Sequence, residues 1–300
     1  MHAVFLFSGS AWQPLVQTVL SVAECVHLAC VLEATARKPG NVHRFQDFDD
    51  LSYPEFLLSA MAAAPIVAES GQLGVGQAVL QAIQATRRFA RTNTNLGMVL
   101  LLAPLAAVPR ERNLATGVAA VLDSLDLADS KAVFEAIRLS QPGGLGEAPE
   151  QDVYGEPTLP FKEIMALAKD RDLIAKQYAC NFCDVFEVGL PALEHGLSET
   201  EKLEPAIVNC HLCLLATLPD TLIVRKCGLA LAQEAGLLAA GVLAEGWPHS
   251  LQGQKALADF DAWLRADGHA RNPGSTADLV AACLFAALRD GIIQFPCDFH

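Results

Sequence analysis

The sequence predicts an all-α fold organised as a single domain over residues 1–300. Three observations carry that prediction. The chain is 52% hydrophobic but only 7% aromatic, and much of the rest of its apolar content is Ala and Leu, both strong helix formers. Apolar residues recur with the helical period along most of the chain, and no alternating strand pattern of convincing length appears. No fixed-period repeat and no low-complexity linker divides it.

The elements follow in order. A first helix is expected from about Pro14 to Ala36; it must stop near Lys38, because the residue before Pro39 avoids the helical region. A polar loop, Arg37 to Asp50, follows. Ser52 and Glu55 form a capping-box pattern opening a helix to about Glu69. Gly71 to Gly76 reads as a turn, followed by a helix through Arg91. Thr92 to Gly97 (TNTNLG) interrupts it and opens a strongly apolar helix. Another helix covers about Lys131 to Leu139. Gln141 to Pro160 is a long irregular stretch, of the kind that is usually functional or disordered. A long helix is expected from Phe161 to His195, with a break near Gly189. A second capping-box pattern, Ser198 and Glu201, opens a helix ending at Pro219. Leu218 to Gly228 reads as a polar interruption before an Ala/Leu helix ending near Gly246. Helices around Gln252–Ala266 and Thr276–Arg289 complete the chain.

Charge narrows the function. A formal net charge of −13 repels a phosphate backbone, which argues against nucleic-acid binding. A phosphorylated small molecule remains accessible if a local basic cluster or a divalent cation offsets that field. The longest nearly apolar run, Leu96 to Val108, is shorter than the roughly 20 residues of a membrane span and contains Pro104. The first residues lack the basic start of a signal peptide, so a cytoplasmic location is expected. The nine cysteines are expected as free thiols of a reducing compartment. Cys180-x-x-Cys183 and Cys210-x-x-Cys213 mimic a four-thiolate zinc pattern, but both lie in apolar helical runs without knuckle turns, so buried free thiols are the expectation.

Five polar segments interrupt the helices: Glu33–Phe45, Thr92–Gly97, Gly143–Asp152, Pro219–Gly228 and Asn272–Asp278. Gly, Asn and Pro let backbone N–H groups point into a cavity, and helix N-termini behind such loops favour anions. Each could instead be an ordinary connection; five together point to one site. Arg37, Lys38 and Arg44 crowd one loop, Arg225 and Lys226 another, and Arg271 a third. On an acidic chain these are candidate phosphate contacts, against the alternative of solvated surface charge. Glu33 and Asp220 are candidate catalytic or magnesium-binding carboxylates; the ordinary readings are an exposed helix residue and a helix N-cap. Asp278 could pair with Ser275 in a capping box, and His43 could be an acid, a phosphate donor or a plain loop histidine.

At these segments the chain resembles the triphosphoribosyl-dephospho-coenzyme A synthase family, in order and over nearly its whole length. Glu33 with Lys38-Pro39-Gly40 looks like that family's carboxylate and KPG loop. Thr92 to Gly97 stands in the place of its Asn-Thr-His-Lys-Gly-like segment. Leu145-Gly146-Glu147-Ala148 looks like its Arg-Gly-Glu-Ala motif. Asp220-Thr221 with Arg225 and Gly228 looks like its Asp-Thr-Asn and Arg-Gly-Gly element. Asn272 to Asp278 looks like its Ser-Pro-Gly-Gly-Ala-Asp start of the last helix.

The resemblance implies an all-helical enzyme that joins the ribose triphosphate of ATP to the 2′-hydroxyl of 3′-dephospho-coenzyme A and releases adenine. The product is a prosthetic-group precursor for citrate and malonate lyase-type carrier proteins. Glu33, Asp220 and Glu147 become its candidate catalytic residues, with Glu33 and Asp220 also holding Mg2+. Substrate would be bound by Arg37, Lys38, Gly40, His43 and Arg44, by Asn93, Asn95 and Gly97, and by Arg225, Lys226, Ser275 and Asp278. Small-molecule nucleotides are the expected partners, with no nucleic acid and no membrane; a homodimer is left open. Carboxylates flanking a cation-like sugar centre, a base for a hydroxyl, and magnesium with basic groups on a triphosphate are what such chemistry needs.

This chain departs from the family pattern in several places. Thr94 and Asn95 stand where the family has His and Lys, Lys226-Cys227 replaces a glycine-rich element, and Asn41-Val42-His43 replaces a Leu-Val-Asp-type sequence. Two alternatives follow: an enzyme of the same fold acting on another nucleotide or coenzyme precursor, and a nucleotide-binding protein without turnover.

Overall fold

The computed structural model describes residues 19–142 and 150–300. Among them it has fifteen α-helices and no strand, only isolated bridges at His43–Gln46 and Phe48–Leu51.

Helix α1 spans Val22–Thr35, and Ser21 with Glu24 forms its capping box. The expected start at Pro14 lies outside the described residues. Helix α2 spans Tyr53–Val67; the Glu55 carboxylate accepts from the Ser52 N–H and hydroxyl, as the sequence suggested. Part of the expected turn after it is a short helix, α3 (Ser70–Leu73), and α4 covers Val75–Thr86, stopping short of Arg91. Helix α5 is Leu96–Ala106. Helix α6, Leu114–Asp123, was not anticipated; Asn113 caps it, its side chain accepting from Thr116 N at 3.1 Å. Helix α7 is Leu127–Ser140, capped by Asp126.

The long helix expected from Phe161 is three: α8 (Phe161–Ala168), α9 (Leu173–Ala179) and α10 (Leu190–Thr200), with a π-turn at Val185–Gly189. Two local features cut it. Asp172 caps a fresh helix by accepting from Ala175 N, and Asn181 and Phe182 adopt left-handed φ values of 56° and 64°. The Ser198–Glu201 capping box does not form. Ser198 turns its hydroxyl back to the His195 carbonyl, and Glu201, at φ 54°, ends α10. Helix α11 runs Leu203–Thr217. The supposed polar interruption is itself a helix, α12 (Thr221–Cys227), begun by Asp220 and stopped by Gly228 at φ 90°. Helices α13 (Leu229–Ala244), α14 (Leu251–Arg265) and α15 (Gly274–Arg289) follow.

The core forms around α5 and α15, against which α1, α2, α9 and α11 pack. Both central helices are apolar nearly all round, as buried helices are. In α15 every residue from Ser275 to Arg289 is buried except Asp278. A smaller apolar cluster joins α11, α13 and α14. No single described helix is long and apolar enough to cross a membrane.

The expectation of nine free thiols needs correction at one pair. Cys180 and Cys183 are joined in a disulfide, because the left-handed residues between them fold the chain back on itself. The other seven are free. Cys210 is buried and donates to the Gly189 carbonyl.

Candidate active site

A cavity of about 860 Å³ opens between the ends of α1, α5, α9, α12 and α15 and the walls of α7 and α8. Its location follows from helix termination. Helix α1 stops at Ala36, which turns extended, and the chain folds back so that Lys38 meets the helix's C-terminal end. There the Lys38 ammonium donates to the Glu33 carbonyl and sits 2.9 Å from Glu33 Oε1. A cation at a helix C-terminus also opposes the helix dipole. Gly40 makes the turn possible: its φ is 75°, and a Cβ would lie 2.7 Å from Leu264 and 2.9 Å from Pro273.

Glu33 lines the cavity, and its Oε2 is buried without a partner. Burial pushes its carboxyl up, and Lys38 opposes the rise. Asp278, one turn into α15, lines the same cavity and has no hydrogen-bond or ion-pair partner among the described residues. Burial, and then the nearby charge of Glu33, push its carboxyl well above the ordinary range. Gly97 lets α5 approach: the Cβ of any other residue there would fall inside the Asp278 carboxylate.

Beside these carboxylates lie neutral polar groups. The Asn93 side chain accepts from Leu96 N and so starts α5, Asn95 donates to Thr86, and Thr94 pairs with Ser59 at 2.7 Å. Ser275 accepts from the Thr221 hydroxyl at 3.0 Å. Arg225 and Lys226 reach the cavity from α12. Arg225 is held 2.7 Å from Asp172, and Lys226 donates to the His269 carbonyl at 3.3 Å. Burial pulls the Lys226 ammonium's pKa down.

Thus Glu33, Asn93, Asn95 and Gly97 share the cavity with Arg225, Lys226, Ser275 and Asp278. The remaining predicted positions lie elsewhere. Lys38 is fully buried against Glu33, so it is not free to meet a phosphate. Gly40 is a structural turn. Arg37 and Arg44 both clamp Glu204, at 2.9 and 2.7 Å, and do not line the cavity. His43 is buried outside it, its pKa lowered to about 4 by burial and then by the Arg265 charge. Arg271 stacks on Trp263.

Asp220 is a helix cap. Its Oδ1 accepts from Leu222 and Ile223 N–H, its Oδ2 from the N–H and hydroxyl of Thr276. Four protein donors saturate a carboxylate that fixes α12 to α15, so of Asp220 and Asp278 it is Asp278 that is left open to the cavity. Glu147 lies outside the described residues. The described group with metal-ligand spacing, Cys180, Cys183 and Asp184, is away from this cavity.

A family model described as ATP:dephospho-CoA triphosphoribosyl transferase matches residues 20–295. The chain belongs to that family. It is 33% identical over 106 residues to a 2-(5″-triphosphoribosyl)-3′-dephosphocoenzyme-A synthase of Klebsiella pneumoniae, a match spanning 35% of this chain and 37% of that protein. A Pseudomonas putida protein described as such a synthase is 28% identical over 290 residues, 91% of this chain and 97% of that one. The solved structure of an Archaeoglobus fulgidus protein described as a triphosphoribosyl-dephospho-CoA synthase superposes with a TM-score of 0.61 at 27% identity. It covers 78% of this chain and 99% of that one.

Among the residues that line this cavity, sequence reasoning missed Arg91, Arg171 and Asp172. Arg91 and Arg171 line the cavity with side chains that meet no hydrogen-bond or ion-pair partner among the described residues, and Asp172 orients Arg225. The arginines follow helix ends in ordinary charged runs, so nothing in their local sequence set them apart. A signal for Asp172 did exist: an Asp just before an apolar run is an N-cap pattern.

Proposed function

We propose that this chain transfers the triphosphoribosyl group of ATP to the ribose 2′-hydroxyl of 3′-dephospho-coenzyme A, with release of adenine. The observation that carries the reading is the juxtaposition of Glu33 and Asp278, two carboxylates from different helices, on a cavity rimmed by Arg91, Arg171 and Arg225. A triphosphate needs the rim, and a cation-like sugar centre needs the carboxylates.

In this reading the C1′–N9 bond of ATP breaks and its electron pair leaves on adenine, which takes up, through solvent, a proton in place of the one the acceptor hydroxyl gives up. A C1′–O bond forms to the acceptor. Asp278, free of protein partners, is placed to accept the hydroxyl proton, and burial together with the Glu33 charge raises its affinity for that proton. Glu33, favoured as a carboxylate by Lys38, offsets positive charge at the sugar. Magnesium suits the same oxygen donors: Glu33 and Asp278 would hold it, and it would neutralise the triphosphate. Arg225, Arg171 and Lys226 bind phosphate oxygens.

Incubating the protein with ATP, magnesium and 3′-dephospho-coenzyme A tests the proposal. Mass spectrometry should detect adenine and a triphosphoribosylated acceptor, both lost in Asp278→Asn. Absence of both products from folded wild-type protein overturns it. A related acceptor is the second reading, favoured by the neutral Asn95–Thr86 pair in the segment where the resembled family carries His and Lys. Other coenzyme precursors in the same assay separate the two.

A further inference from the structure

Asn41 and Asn272 come from loops 231 positions apart, yet the Asn41 amide donates to Asn272 Oδ1 at 2.6 Å on the cavity wall. Both positions depart from the pattern of the resembled family, which has Leu and Ser there. Asn41 is only 5% exposed, and its Oδ1 is buried with no partner. The Asn272 NH2 group donates to nothing among the described residues.

We propose that this amide pair is a specificity element that hydrogen-bonds a substrate edge carrying a donor and an acceptor side by side. The inference rests on the triphosphoribosyl-transfer reading of the cavity. One N–H···O bond between two primary amides leaves a free oxygen on one and a free NH2 on the other. That holds whichever way the two amides are assigned, because exchanging oxygen and nitrogen in both restores the same pattern reversed. A buried oxygen left unpaired is unfavourable, and native structures rarely keep one without a reason. A ligand donor reaching Asn41 removes that penalty.

The pair is held by contacts other than its amides. Arg265 donates to the Asn41 carbonyl at 2.5 Å, Gly274 N–H to the Asn272 carbonyl at 2.9 Å, and Gly40 N–H to Asp261 at 2.7 Å. The two loops therefore keep these anchors when the side chains are changed. Their place on the wall is close to the phosphate-binding end, because Asn272 N–H and Lys226 Nζ both donate to the His269 carbonyl. Two substrate groups have the required chemistry: the amino-pyrimidine edge of adenine in ATP, and the same edge of the adenine in the coenzyme acceptor.

Calorimetric titration of ATP and of 3′-dephospho-coenzyme A into wild type, Asn41→Leu, Asn272→Ser and the double variant decides the matter. One ligand should weaken roughly five- to tenfold, the factor carried by a net hydrogen bond of about 1 kcal/mol. The loss should be similar in both single variants and no larger in the double, because the two amides act as a unit. Loss confined to ATP assigns the edge to the donor's adenine; loss confined to 3′-dephospho-coenzyme A assigns it to the acceptor's. Unchanged affinity for both ligands in folded variants overturns the inference and leaves a pair that meets only water. Should Asn41→Leu not fold, the half-buried Asn272→Ser carries the same comparison. Wild-type protein that binds neither ligand overturns the transfer reading itself, and this inference with it.

Discussion

The ammonium of Lys38 lies 2.9 Å from Glu33 Oε1, with side-chain exposures of 0% and 3%. Lys38 thus serves Glu33 and not a substrate phosphate. Removing one member strands a buried charge, which costs about 3–5 kcal/mol, whereas removing both does not. Glu33→Gln alone should lower stability by about that amount, and Glu33→Gln/Lys38→Met should recover most of it. Denaturant unfolding of the three proteins measures this. A single variant as stable as wild type would show that the pair is not compensating buried charge.

Gly97 is the residue through which α5 approaches Asp278. Gly97→Ala should push the Asp278 carboxylate aside while disturbing little else. Misplacing a reacting group by about 1 Å can cost about 10²-fold in rate. Turnover should fall by about that factor with the melting temperature nearly unchanged. Wild-type kinetics in Gly97→Ala would remove Asp278 from the chemistry.

Arg225 reaches the cavity while held by Asp172. Charge-assisted contacts to phosphate are worth about 1.5–3 kcal/mol, so Arg225→Ala should weaken ATP binding by about 10- to 100-fold. Adenosine, without phosphates, should bind as before. Titration of both ligands into both proteins reads the difference; equal ATP affinity would make Arg225 a partner of Asp172 alone.

Burial alone would raise the Glu204 carboxyl, but hydrogen bonds from Arg44 and Arg37 overcome it and hold its pKa at about 2, against an ordinary 4.5. A depressed carboxyl stabilises the fold above its unfolded value. That contribution disappears as pH falls from about 4.5 through about 2. Glu204→Gln should therefore melt lower than wild type at pH 7, and the gap should close on acidification across that window. A gap independent of pH would mean that Glu204 contributes packing and not charge.

The sequence by itself determined that the chain is helical and where its chemistry-bearing loops lie. Those features are local. Helical periodicity, the Ser52–Glu55 box and the proline after Lys38 act over a few residues, so they are readable one segment at a time. Family motifs, too, survive as short strings. Only the tertiary structure decided which polar residues face the cavity. Asp220 and Asp278 look equally available in the sequence. Asp220 is saturated because four donors from α12 and α15 converge on it, while Asp278 is the one residue between Ser275 and Arg289 that the core does not cover. Arg37, Lys38 and Arg44 read as one basic cluster, yet Glu204, 160 positions beyond Arg44, takes two of them, and Glu33 takes the third. Buried charge must find an opposite charge or a hydrogen-bond donor, and where that partner comes from is a property of the packed chain.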